Sequence, residues 1–301
     1  MSKVILLATA IFLFLGAEPA FAWGPLTHLY LGQQILWKHA MLPGALYLLL
    51  KNHRADFLYG NVSADIIIGK QLVAFELHCH NWTVARQFLE NAEDDRQRAF
   101  AYGYLAHLAA DTVAHNHFIP KYLLIASKTK NFGHSFWEMR ADALIDKRYR
   151  RIAEELGTDV KEYHDPLLER TLTRAIFSYK TNRRVFTSLL YLSKLRQWEL
   201  MTSFFTSYST TPLPKEEMER FHQESLERMA AILTDPYDSP IASLDPTGGK
   251  QLYESRLTRK SLRSLVRQGV VTEDVYHKVA EVLYSAEGEE REEVESEARV
   301  V

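Results

Sequence analysis

A chain of 301 residues with 47% apolar and 25% charged residues has the material for a substantial core, which excludes a bulk disordered composition. A formal net charge of −2 and a pI near 6.6 give no bulk positive field of the kind that drives nucleic-acid binding. The single cysteine, Cys79, excludes an intrachain disulfide, so stability must come from a core, from bound metal, or from both.

At the start of the chain, Lys3 precedes Val4 to Gly16, an uncharged and almost wholly apolar run. It is shorter than the roughly 20 residues a helix needs to span a bilayer. Ala20-Phe21-Ala22 follows, the small-x-small pattern of signal-peptidase cleavage. Residues 1–22 therefore read as a signal peptide, with a mature chain beginning at Trp23 and exported to the periplasm or beyond the cell.

The mature chain reads as all-α. Leu29, Gln33, Leu36 and Trp37 begin an amphipathic stretch that Pro43 interrupts and Ala45 to Leu50 resumes. The spacing predicts a helix over 84–97 and a long, buried, central helix from Phe100 to Phe118, with Pro120 just past its end. Gly133 precedes another helix, running to about Leu156. Asp165-Pro166 reads as an N-cap followed by proline at the first helical position. Ser209 to Pro214 is a break, Lys215 to Leu233 a helix, and Asp235 to Gly249, with three prolines and two glycines, a loop. Two short helices, Leu257 to Gln268 and Thr272 to Tyr284, meet at Gly269. From Glu287 the chain is an acidic, solvated tail.

Histidines and carboxylates crowd the first half. His107, Asp111 and His115 stand at i, i+4 and i+8 on the central apolar helix, where residues four apart share a face. Two side chains so placed can reach one metal ion, and an ionised aspartate on an apolar helix needs a partner. The bland alternative is a buried polar network that ties helices together. His134 and Glu138 repeat the i, i+4 spacing, although alone they read better as a surface pair. His78-Cys79-His80 offers two imidazoles on one side of an extended segment, with the thiol opposite. Asp65 taken alone reads as a helix cap, and His28 as a helix-surface histidine. A chain cut before Trp23 would add a free amine and a carbonyl oxygen on one residue, able to chelate an ion together.

The ordered set resembles the zinc-dependent phospholipases C of bacteria. It comprises Trp at the cleavage point, an early His, Ala-Asp, a His with nearby aromatics, His-x-x-x-Asp with a later His, and His-x-x-x-Glu. Relatives of that group include the S1/P1-type single-strand nucleases and the amino-terminal domain of glycosylphosphatidylinositol-specific phospholipase D. The resemblance covers roughly Trp23 to Asp142 and implies an all-α, multi-helix bundle with additional C-terminal helices. It implies up to three Zn2+ ions. Trp23, His28 and a bridging Asp111 would hold one; Asp65, His78 or His80, His107 and Asp111 a second; His115 or His117, His134 and Glu138 the third. An aromatic close behind His80, at Trp82, favours His80 over His78. The absence of a proline between Asp111 and His117 lets the helix continue and favours His115 over His117.

Such a set implies hydrolysis of a phosphate ester, with Asp65 or Glu138 accepting a proton as well as binding metal. The expected division is a signal peptide at 1–22, a zinc-binding catalytic domain at 23–160, further helices at 161–286 and an acidic tail at 287–301. The expected partners are a phospholipid or another phosphodiester, with transient contact at a membrane surface and no stable nucleic-acid complex. Arg256, Arg259, Lys260, Arg263 and Arg267 could meet anionic lipid heads, though a solvated face is the plainer account. A zinc-binding protein without catalysis is the reading from another class.

Overall fold

A computed structural model describes residues 23–66, 79–126, 133–146, 148–172 and 211–284. The signal peptide, His78 and the acidic tail lie outside the described residues. Among the described residues every regular element is a helix.

The first half begins with α1 (Pro25–Trp37), α2 (Gly44–Asn52) and α3 (Arg54–Ser63), which runs into a 3-10 turn at Ala64–Ile66. Next come α4 (Trp82–Glu90) and α5 (Asp95–Val113). The single helix expected over 84–97 is in fact two. Asn91 ends α4, and the Asp94 side chain accepts from the Gln97 backbone N–H to start α5. An N-cap in that place satisfies donors that a continuous helix would have left to the backbone.

Beyond Val113 the chain makes a π turn, Ala114–Phe118, and then continues as α6 (Ile119–Ile125). Pro120 therefore sits in the first turn of a continuing helix and not past the end of one. Phe118, Ile119, Tyr122 and Leu123 on either side are buried and hold the helix through it. After α7 (Gly133–Leu144) and α8 (Arg148–Glu155), α9 spans Thr158–Thr171 with Pro166 inside it. Asp165-Pro166 thus corrects from a helix start to a helix interior. Buried Val160, His164, Leu167 and Leu168 lie on both sides of the proline and hold the helix through it. The last part holds α10 (Lys215–Thr234), a 3-10 turn at Pro240–Ser243, α11 (Gly249–Arg267) and α12 (Val275–Tyr284).

Helix α5 is the axis of the assembly, with α3, α4 and α10 packed around it. Every residue from Gly103 to Val113 is buried, which is the pattern of a helix apolar all round. Its tightest neighbour is α3. A Cβ on Gly60 would stand 2.0 Å from the Phe100 carbonyl oxygen, and one on Gly103 would stand 2.0 Å from that of Phe57. The two glycines let the backbones approach, which brings the end of α3, and so Asp65, against α5.

Trp23 joins three parts of this core. Its indole Nε1 donates to the Ala110 carbonyl at 3.1 Å and to Ser225 Oγ at 3.3 Å, and its ring stacks on Phe118. Phe221, Met229 and Ile232 of α10 belong to the same apolar cluster as Trp23 and Leu105. A second, smaller cluster joins Leu124 and Ile125 of α6 to Leu262 of α11 and Tyr276, Ala280 and Tyr284 of α12. Buried Lys121 reaches Glu217 at 2.6 Å and Glu281 at 2.7 Å, tying α10 and α12 to α6.

Candidate metal centre

The i, i+4 ladder on α5 points His107 and Asp111 the same way, and three other segments bring groups to meet them. His28 comes from the first turn of α1, Asp65 from the 3-10 turn after α3, and His80 from the bend before α4. All five are buried, Asp65 at 2% exposure and the rest at 0%.

Asp111 is the meeting point. Its Oδ1 lies 3.1 Å from His28 Nε2, and its Oδ2 lies 3.1 Å from both His80 Nε2 and His107 Nε2. Asp65 Oδ1 stands 3.3 Å from His80 Nε2 and 3.9 Å from His107 Nε2. Two donor groups follow, each with ligand atoms within 4.8 Å of one another: His28, His107 and Asp111 make one, and Asp65, His80 and His107 the other. The two oxygens of Asp111 thus face different imidazoles, as a carboxylate between two neighbouring cations would.

The proton positions sharpen this. His107 Nδ1 lies 3.0 Å from the Asn61 carbonyl oxygen, which can only accept, so Nδ1 carries the ring proton. Nε2 of the same ring then faces Asp111 Oδ2 at 3.1 Å and His80 Nε2 at 3.1 Å. Nitrogens bound to one tetrahedral zinc at the usual 2.0–2.1 Å are about 3.3 Å apart, close to the His80–His107 spacing. Among the described residues, both ring nitrogens of His28 and both oxygens of Asp111 lack a hydrogen bond of acceptable geometry. Buried polar atoms are normally satisfied, so this set fits a cation. Burial by itself would raise the Asp111 carboxyl, but His107 and His28 outweigh it and hold it well below the usual carboxylate range. Burial, and then the neighbouring His107, push the His28 imidazole below its usual range.

The family model for zinc dependent phospholipase C matches residues 27–184. The chain belongs to this family. No curated protein and no solved structure matches it.

In this zinc dependent phospholipase C family member the other predicted residues divide clearly. His134 and Glu138 are not a surface pair. Both are buried on α7, with Nε2 to Oε1 at 3.0 Å. The His115 ring meets that of His134 edge-on, with centroids 4.9 Å apart. His115 Nδ1 donates to the Pro246 carbonyl at 2.6 Å, which leaves its Nε2 as the acceptor. His117 turns away from this group. Its Nε2 accepts from Arg228 at 2.9 Å, and Glu224 lies 3.8 Å off. Trp23 uses its indole for packing. Cys79 is buried, with Sγ 3.4 Å from His80 Nδ1, which places the thiol behind the imidazole.

Several residues that orient the cluster carry no signal in the sequence pattern. Asn61 holds His107 through its carbonyl and donates through Nδ2 to the His28 carbonyl at 2.9 Å. It lies near the end of α3, four residues before Asp65 of the following 3-10 turn, a spacing that could have drawn notice. Pro246 acts on His115 from 131 residues away, and nothing local marks it. Tyr104 donates to the Cys79 carbonyl at 2.6 Å and so fixes the bend that carries His80. Such outer contacts set which nitrogen faces the metal position.

Proposed function

We propose that the protein is an exported, zinc-dependent phosphodiester hydrolase, a phospholipase C acting on phospholipid head groups. One observation carries the reading: Nε2 of His28, of His80 and of His107 each lie 3.1 Å from a carboxylate oxygen of Asp111 inside a fully buried cluster. Such a cluster can hold a cation, and nitrogen and oxygen donors in this mixture suit zinc. Membership of the family supports both the metal and the hydrolytic class.

In this reading His28 and Asp111, with the amine and carbonyl of Trp23 after leader removal, hold one ion. Asp65, His80, His107 and Asp111 hold a second, and His115, His134 and Glu138 a third. Zinc bound there would supply Lewis-acid polarisation of a phosphate oxygen and a water acidic enough to react near neutral pH. The chain's own part is orientation and charge. Asn61 and Pro246 fix the histidine tautomers, Asp111 spaces the two groups, and Asp65 or Glu138 takes up the proton released as water attacks.

Turnover of short-chain phosphatidylcholine tests this on the mature protein. The expected result is hydrolysis that a chelator abolishes and zinc restores, with little activity left in Asp111→Asn. Bound zinc without turnover of any phosphodiester would mark a storage or structural site. Cleavage of single-stranded DNA in preference to lipid would move the protein to the nuclease branch.

A further inference from the structure

Helix α11 presents an outward stripe that the core does not need. Tyr253, Leu257, Lys260, Ser264 and Arg267 follow at intervals of four, three, four and three, the repeat of one helix face, and all are exposed. Tyr253 is 63% and Leu257 45% exposed. The inner face is spent on packing. Leu262 is buried in the smaller apolar cluster, Ser255 Oγ donates to the Pro120 carbonyl at 2.7 Å, and Arg259 donates to that of Ala126. Among the described residues nothing covers the tyrosine and the leucine of this stripe.

Charge sets this helix apart from the rest of the chain. Between Gly249 and Gln268 there are six basic residues and one acidic residue, in a protein of net charge −2. Lys260, Arg263 and Arg267 have no ion-pair partner among the described residues. Lys260 and Arg267 are exposed, with Arg263 half-buried beside them, and together they complement an anionic surface.

The helix also starts at the candidate centre. Gly248, in left-handed conformation at φ 59°, precedes it, and a Cβ there would lie 2.4 Å from the His115 carbonyl oxygen. The same loop supplies the Pro246 carbonyl to His115 and the Asp245 carbonyl to Asn116. A surface seated on α11 thus begins beside the segment that carries His115.

We propose that the outward stripe of α11 docks the protein on an anionic phospholipid bilayer. Lys260 and Arg267 would meet lipid phosphates, while Tyr253 sits at head-group depth and Leu257 reaches the acyl boundary. A single-stranded nucleic acid would call for successive aromatic platforms, and this stripe has one ring. The inference rests on the phospholipase reading for its purpose, but docking is measured without turnover.

The test is co-sedimentation of the mature protein with vesicles of phosphatidylcholine alone or mixed equally with phosphatidylglycerol. Wild-type protein should prefer the mixed vesicles, and added salt should weaken that preference. A basic residue at an anionic membrane surface is worth about five-fold in affinity, so Lys260→Gln with Arg267→Gln should lose about 25-fold. Tyr253→Ser with Leu257→Ser should reduce the binding that survives high salt. Both variants change exposed positions, so circular dichroism and hydrolysis of soluble short-chain substrate should match wild type. Equal binding to both vesicle types, variants that bind like wild type, or variants that lose oligonucleotide binding in place of vesicle binding would each overturn the proposal. If the protein hydrolyses nothing yet shows the expected vesicle results, the enzymatic reading fails and the docking surface stands.

Discussion

Asp142 caps a helix it does not belong to: its Oδ1 accepts from the Thr27 backbone N–H at 2.9 Å and from Thr27 Oγ1 at 2.6 Å. Its Oδ2 accepts from the Leu26 N–H at 3.1 Å. Gly24 at the start of α1 has no side chain to do this, and a carboxylate at a helix N-terminus also meets the positive end of the dipole. Asp142 stands one turn beyond Glu138 on α7, so the helix that faces His115 also seats the helix that carries His28.

Removing that cap should be costly. Asp142→Ala leaves buried donors without a partner, for a loss of about 1–3 kcal/mol and a fall of several degrees in melting temperature. Burial pushes the Asp142 carboxyl up to about 6. A raised folded pKa means that the folded state binds the proton more tightly. The group's contribution is then fully present below about 4 and is lost as pH rises toward 6. Urea titrations of wild type and variant at pH 4 and pH 7 would check both statements, since the difference between them should shrink with rising pH.

His222 should behave in the opposite sense. It is buried between Trp23 and Tyr30, its Nε2 has no hydrogen-bond partner among the described residues, and burial pushes its pKa down to about 4. The unfolded chain binds the proton first. Stability is therefore complete above about 6.5 and falls as pH drops toward 4, by about 3 kcal/mol in all. His222→Phe should flatten that limb of the stability–pH curve, and an unchanged slope would show that His222 is not its source.

The approach of α3 to α5 should tolerate no side chain. Gly60→Ala or Gly103→Ala places a methyl group 2.0 Å from a backbone oxygen, which only separation of the helices can relieve. The expected cost is about 3 kcal/mol or more, beyond ordinary overpacking because backbone must move. Since α3 leads to Asp65 and α5 carries His107, zinc content measured by plasma spectrometry should fall alongside the melting temperature.

Metal and fold should prove linked. His107→Ala removes the residue common to both donor groups, so bound zinc should drop well below wild type. Chelation of the wild-type protein should lower its melting temperature by roughly 10 °C, because ligation energy is folding energy. A protein whose melting is indifferent to chelator would have no such centre.

Much was legible along the chain. The apolar run from Phe100 onward marked the central helix, and four-residue spacing marked the faces that carry His107, Asp111, His134 and Glu138. Periodicity reports a helix's own geometry, which neighbouring residues settle. It said nothing reliable about interruptions. The helix runs through Pro120 and Pro166 because buried side chains on either side outweigh one missing N–H, and the break at Asp94 needed a cap bond to be seen.

Which histidine faces which oxygen was decided by distant parts of the chain. Sequence spacing left His115 and His117 as alternatives, whereas the structure gives His115 to Pro246 and His134, and His117 to Arg228 and Glu224. A lone pair's direction depends on what holds the other ring nitrogen, and those holders, Asn61 and Pro246, lie 46 and 131 residues from their histidines. The residue types and their order belong to the sequence. The convergence of three imidazoles on one carboxylate belongs to packing, because only close-set backbones such as those at Gly60 and Gly103 bring separate helices within reach of a single ion.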